Sequence, residues 1–150
     1  MNDHNSPILI VEDDDLDQEL MFSAFKKLNF PNEVVIVKDG EAALNYLRTC
    51  SQKPLFIISD INMPKMNGWE LRMEIEKDIK LKIQNIPFIL MSGADDHDEI
   101  QKAFEDKVQG FFHKKINFKE TQELLRIIIL YWRWSSFPKQ SYSREKFEEN

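Results

Sequence analysis

The sequence predicts an α/β fold: one sheet of five parallel strands, doubly wound by helices, in the order 2-1-3-4-5. Three observations predict it. Ile8-Leu9-Ile10-Val11 and Leu55-Phe56-Ile57-Ile58 are short apolar runs without alternation, which read as strands buried on both faces. Strand-like and helix-like segments then alternate along the chain, which implies a parallel sheet covered on both sides. Right-handed crossovers limit such a (βα)5 chain to doubly wound orders.

The elements follow in order. Ile8 to Val11 is the first strand. Asp15 reads as the N-cap of the first helix, with Gln18 as its capping-box partner. Leu16, Leu20, Ala24 and Leu28, flanked by Met21 and Phe25, give that helix an apolar stripe. Phe30-Pro31-Asn32 breaks it. Val34 to Val37 is the second strand. Asp39-Gly40 turns into a short helix carrying Ala43, Leu44 and Leu47. Leu55 to Ser59 is the third strand, and Met63 to Asn67 a loop. The third helix runs from Gly68 to about Lys80 with Leu71 and Ile75 inward. Pro87 precedes a fourth strand, Phe88 to Met91. Asp95 or Asp96 starts a fourth helix with Ile100, Ala103 and Phe104 inward. Gly110 to His113 is the fifth strand. Asn117, with Glu120 three positions on, caps a fifth helix reaching about Trp134. The domain is expected over 7–134, with 135–150 as a tail that is flexible or packs on the last helix.

The bulk numbers agree with one globular domain. A chain of 150 residues can bury roughly 68–70% of its unfolded surface. With 42% hydrophobic and 31% charged residues, it has enough apolar material for a core. A net charge of −6 gives no support for nucleic-acid binding, which wants a basic face. No apolar run approaches the ~18–20 residues that span a bilayer. Met1 to Pro7 lacks the basic and apolar regions of a signal peptide, so a cytoplasmic location is expected. Cys50 is the single cysteine, which rules out an internal disulfide.

Both founding strands end on acids. The first runs into Glu12-Asp13-Asp14 and the third into Asp60. In one parallel sheet these ends lie together, at the edge where open α/β sheets bind ligands. Like charges so close are unfavourable unless a cation neutralises them. Magnesium suits two or three carboxylates, because it keeps several waters. Ser92 follows the fourth strand and Lys114 the fifth, so a hydroxyl and an ammonium join the same edge. An aspartate there can attack phosphorus and form an aspartyl phosphate. Taken singly, each residue has a plainer reading as a cap, a turn or a solvated charge, and Asp14 and Asp15 are read as caps. The combination at one edge is what points to chemistry. His4, His97 and His113 lack metal-ligand spacing.

Ile8 to Asp14, Ile57 to Leu71, Ile89 to Gly93 and Gly110 to Lys114 together resemble the receiver domain of two-component response regulators, over about residues 7 to 130. The resemblance implies a flavodoxin-like fold and assigns roles. Asp60 is the phosphoacceptor. Glu12 and Asp13, with Asp60 and the Asn62 backbone carbonyl, hold Mg2+ or Mn2+. Ser92 is the switch hydroxyl, Lys114 the active-site lysine, and Phe111 the switch aromatic. The implied partner is a sensor histidine kinase or phosphotransfer protein, and the implied protein a stand-alone regulator without an output domain. It signals by phosphorylation-dependent contacts rather than as an enzyme, although it can catalyse its own phosphorylation from small donors and its own dephosphorylation. Receivers paired with phytochrome-type kinases have comparable C-termini.

Two departures accompany the resemblance. Lys115 follows Lys114 where the family has a proline after a cis bond. A cis bond costs ~3–4 kcal/mol without proline, so either the loop changes shape or contacts hold the strain. Asp78 to Asn85 is also longer than usual and is expected to extend a loop far from the site. The last helix adds a further expectation. Ile127, Ile129, Leu130, Tyr131, Trp132 and Trp134 leave its end apolar nearly all round, so it needs a second cover. A homodimer through this helix is favoured over the tail or a kinase. Three rivals remain: a phosphorylation-independent scaffold, an aspartate-dependent phosphatase and a flavin-binding module. The phosphatase would need an acid where Asn62 stands. The flavin module would need a Ser-, Thr- and Gly-rich phosphate loop.

Overall fold

The computed structural model describes residues 4–93 and 97–138. Its elements are β1 (Ile8–Val11), α1 (Asp15–Leu28), β2 (Val34–Val37), α2 (Gly40–Thr49), β3 (Phe56–Asp60), α3 (Gly68–Lys77), α4 (Ile79–Lys82), β4 (Phe88–Ser92), α5 (His97–Glu105), β5 (Gly110–His113) and α6 (Phe118–Trp134). The strands pair in parallel in the order β2-β1-β3-β4-β5, as the sequence predicts. β1, β3 and β4 are buried along their whole length, which is why their sequences do not alternate. The edge strands β2 and β5 are half-buried.

Side chains alternate across the sheet and build two cores. Leu9, Val11, Ile57 and Leu90 face the side covered by Leu44 of α2, Leu71 of α3 and Ala103 of α5. Ile8, Ile10, Ile58 and Ile89 face α1 and α6, which supply Met21, Phe25, Leu125, Ile128 and Ile129. Arg133 near the end of α6 donates to the carbonyl of His4 at 2.8 Å and to Asn32 Oδ1 at 2.6 Å. These bonds tie the last helix to the start of the chain.

Four details differ from the sequence reading. The N-cap of α1 is Asp14, not Asp15; its carboxylate accepts from the Asp17 N–H at 2.9 Å. The buried stripe of α1 is Met21, Ala24 and Phe25, while Leu16 is 76% exposed. The first turn of α1 stands at the sheet's edge, where Asp17 rather than Leu16 turns inward. The stretch after α3 is not a plain loop. Asp78 ends α3 and caps the short α4, accepting from the Lys80 N–H at 3.1 Å and, through its other oxygen, from Arg48 Nε at the same distance. Finally, α5 buries Ala103 but leaves Phe104 80% exposed, because one step along a helix is enough to leave a stripe this narrow. The expected helix start at Asp95 or Asp96 and residues 139–150 of the tail lie outside the described residues.

Ile127, Tyr131 and Trp134 lie at i, i+4 and i+7 on α6 and are exposed. Phe137, just beyond the helix, packs on Trp132 with ring centroids 5.9 Å apart and leaves that outer stripe uncovered.

Candidate functional site

The strand registers bring the predicted residues to one edge. Val11 pairs with Ser59, Asp60 with Met91, and Ser92 with His113. Glu12 is therefore one step beyond β1, Asp60 ends β3, Ser92 ends β4, and Lys114 follows β5. Carboxylate oxygens of Glu12, Asp13 and Asp60 lie within 4.8 Å of one another. Glu12 and Asp60 are buried, and Asp13 is exposed at the rim.

Backbone bonds fix this edge. The Ile61 N–H donates to the Met91 carbonyl at 3.1 Å, and the Lys114 N–H to the Ser92 carbonyl at 2.8 Å. Gly68 closes the loop after Asp60 by donating its N–H to the Ile61 carbonyl at 2.9 Å. A Cβ at position 68 would sit 2.5 Å from the Asp60 carbonyl oxygen, so only glycine lets α3 approach β3 this closely. Asn67 and Glu70 form a reciprocal capping box at the start of α3.

The Lys114 ammonium sits among carboxylates. Nζ lies 2.9 Å from Glu12 Oε2, 2.8 Å from Asp17 Oδ2 and 3.1 Å from Asp60 Oδ2. Burial pushes Glu12 up to about 7, and the Asp60 charge adds to this while Lys114 opposes it. Burial likewise raises Asp60, against the pull of Lys114 and of the Asn62 N–H bonded to it. Burial draws Lys114 down. Its hydrogen bonds to Asp17 and Glu12, with the charges of Glu12 and Asp60, outweigh that and hold it above the usual lysine range.

Three acids thus contact one ammonium, and Asp13 adds a fourth negative charge at the rim. This excess of negative charge, in a group of hard oxygen ligands, fits a divalent cation. Glu12, Asp13 and Asp60 would hold it, with the Asn62 carbonyl as the further expected ligand. The chemistry open to such a site is attack by a carboxylate on phosphorus, with cation and ammonium offsetting the transferred charge.

The remaining expectations fall as follows. Ser92 is buried at the end of β4. Phe111 is half-buried on the α3–α5 side of the sheet, its ring edge-on to His113 at 5.8 Å. Lys115 is exposed, and the bond between Lys114 and Lys115 is trans, so the loop accommodates the missing proline without a cis peptide. The sequence reading missed Asp17. An acid in the first turn of a helix is common for local reasons, and nothing in its spacing announces a lysine just after β5 as partner. It also missed the pairing of Trp69 on α3 with Glu99 on α5, where Trp69 Nε1 donates to the carboxylate and Lys102 Nζ lies 4.6 Å from the ring centroid.

Comparison with known proteins places these features in context. Residues 8–126 match the family described as the response regulator receiver domain. Response regulator Rcp1 of Synechocystis sp. is 29% identical over 140 residues, which span 88% of this chain and 94% of Rcp1. The probable methanogenesis regulatory protein FilR2 of Methanothrix harundinacea is 28% identical over 136 residues, 87% of this chain and 86% of that protein. Among solved structures, the phosphorylated cyanobacterial phytochrome response regulator RcpA superposes with a TM-score of 0.79 at 30% identity, over 91% of this chain and all of RcpA. The Mn2+-bound form of Rcp1 superposes with a TM-score of 0.75 at 28% identity, over 90% of this chain and 99% of that one.

Proposed function

The chain belongs to the response regulator receiver family, and on that premise we propose that it relays a two-component signal by accepting a phosphoryl group on Asp60. The observation that carries this reading is the buried Asp60 carboxylate, 3.1 Å from the Lys114 ammonium and within 4.8 Å of Glu12 and Asp13.

In the proposed step an Asp60 oxygen attacks the phosphorus of a phosphohistidine. A P–O bond forms as the P–N bond breaks, and the imidazole leaves with the electron pair and takes a proton from water. Lys114 and Ser92 receive the phosphoryl oxygens. When bound, Mg2+ or Mn2+ at Glu12, Asp13, Asp60 and the Asn62 carbonyl offsets the charge on the transferred group. The new contacts at Ser92 shift the population of states, with Phe111 on β5 as the aromatic that responds. The donor is a histidine kinase or phosphotransfer protein in the cytoplasm. A kinase of the phytochrome type is the first to try, because RcpA is a phytochrome response regulator. No helix among the described residues is long and apolar enough to cross a membrane.

The test is intact-mass detection after incubation with acetyl phosphate. The expected result is a phosphoryl adduct with Mg2+ and none with chelator. An adduct indifferent to the cation would remove the carboxylate group from the reaction, and none under either condition would favour the scaffold.

A homodimer through the outer stripe of α6 is part of the same proposal, supported by the exposure of Ile127, Tyr131 and Trp134. Sedimentation equilibrium should show a dimer that Tyr131→Glu dissociates. A monomer at every concentration and in both phosphorylation states would refute it.

A further inference from the structure

We propose that Asp17 is a positioning residue for phosphoryl transfer: its carboxylate keeps the Lys114 ammonium over the acceptor when Glu12 and Asp60 are drawn away from it. The inference rests on the reading of Asp60 as acceptor.

Lys114 has to reach across the sheet. Its backbone is pinned to β4 by the bond to the Ser92 carbonyl. Asp60 ends β3, two strands from β5, a separation of roughly 10 Å. The long side chain crosses that gap with four rotatable bonds. At its end the ammonium has three N–H groups and three carboxylate partners.

Two of those partners have other duties. Glu12 and Asp60 belong to the group that can hold a cation, and Asp60 surrenders an oxygen to phosphorus. Asp17 lies outside that group, yet makes the shortest of the three contacts, at 2.8 Å. It also approaches from the α1 side, while the lysine backbone is anchored at β4 and β5, so the side chain is held at both ends. The Asp17 backbone is itself fixed, because its N–H donates to Asp14 Oδ1 at 2.9 Å. An acid in the first helical turn would be favourable without any lysine. That local preference does not explain why the carboxylate turns inward to a residue just beyond the far strand.

The test uses the full chain, acetyl phosphate and saturating Mg2+. Initial rates of adduct formation are compared for wild type, Asp17→Asn, Asp17→Glu, Lys114→Ala and the double variant Asp17→Asn/Lys114→Ala. Asp17→Asn should be slower by about tenfold, as expected for loss of alignment, and Asp17→Glu should recover part of the rate. On the Lys114→Ala background the same substitution should change the rate by less than about twofold. A second readout needs no phosphoryl donor. With saturating Mg2+, the 15N-detected ammonium signal of Lys114 should be protected from solvent exchange in wild type and lost in Asp17→Asn. An Asp17→Asn variant that reacts at the wild-type rate or faster overturns the proposal while the Asp60 reading stands. So does an equal loss with and without Lys114. Wild type that takes up no phosphoryl group refutes the Asp60 reading and the role of Asp17 with it.

Discussion

Asp60→Ala is expected to take up no phosphoryl group from acetyl phosphate under conditions in which wild type forms a single Mg2+-dependent adduct. The loss should be on the order of a thousandfold or more, because the attacking atom itself is removed. Asp60→Asn should behave alike, since an amide of the same shape is no nucleophile. Both variants should fold. The carboxylate is raised by burial in the wild type, and Asp13 adds to that cost. Replacing a buried charge with a neutral group relieves it, so metal-free Asp60→Asn should melt no lower than wild type. Lys114 keeps Glu12 and Asp17 as partners in either variant. Mass spectrometry and thermal melts check both halves. An adduct that survives in Asp60→Asn would move the acceptor to another carboxylate. Loss of adduct with loss of fold would leave Glu12→Ala and Lys114→Ala to separate the two.

Much of this site is legible in the sequence because of where parallel strands end. β1, β3 and β4 are apolar on both faces, so their runs stand out without alternation. The residues that follow them must gather at one edge. Glu12, Asp13, Asp60, Ser92 and Lys114 are all found that way. Other features depend on distances that a local pattern does not contain. Asp17 reads as an ordinary first-turn acid, and its pairing with Lys114 exists only once α1 and β5 are placed across the sheet. Leu16 and Phe104 have helical spacing relative to buried residues, but periodicity does not say where the supporting sheet stops. The four-residue α4 is too short for a period to show. Its cap, Asp78, also serves Arg48 of α2, another contact between distant elements.

Metal-free protein should become more stable as pH falls from about 8 to 5.5, and Glu12 is the reason. Its carboxyl has an ordinary value near 4.5 and is pushed up to about 7 in the folded chain. Between these values the folded state holds a proton that the unfolded state has lost. The stabilising contribution is therefore full below about 4.5 and gone once pH has risen past about 7. Between pH 8 and 5.5 this is worth on the order of 2 kcal/mol, or roughly 4–8 °C in melting temperature for a chain of this length. Glu12→Gln should remove most of that dependence and raise stability at pH 8, because the amide fills the buried position uncharged. Mg2+ should stabilise where the proton is absent. Both compete for the same carboxylates, so added Mg2+ should raise the melting temperature more at pH 8 than at pH 5.5, and much less in Glu12→Gln. Calorimetric melts with chelator and with Mg2+ read all of these together. A metal-free protein that loses stability steadily from pH 8 to 5.5 would show that the Glu12 carboxylate is content in its buried position. In that case the excess of negative charge would not be what draws a cation to this edge.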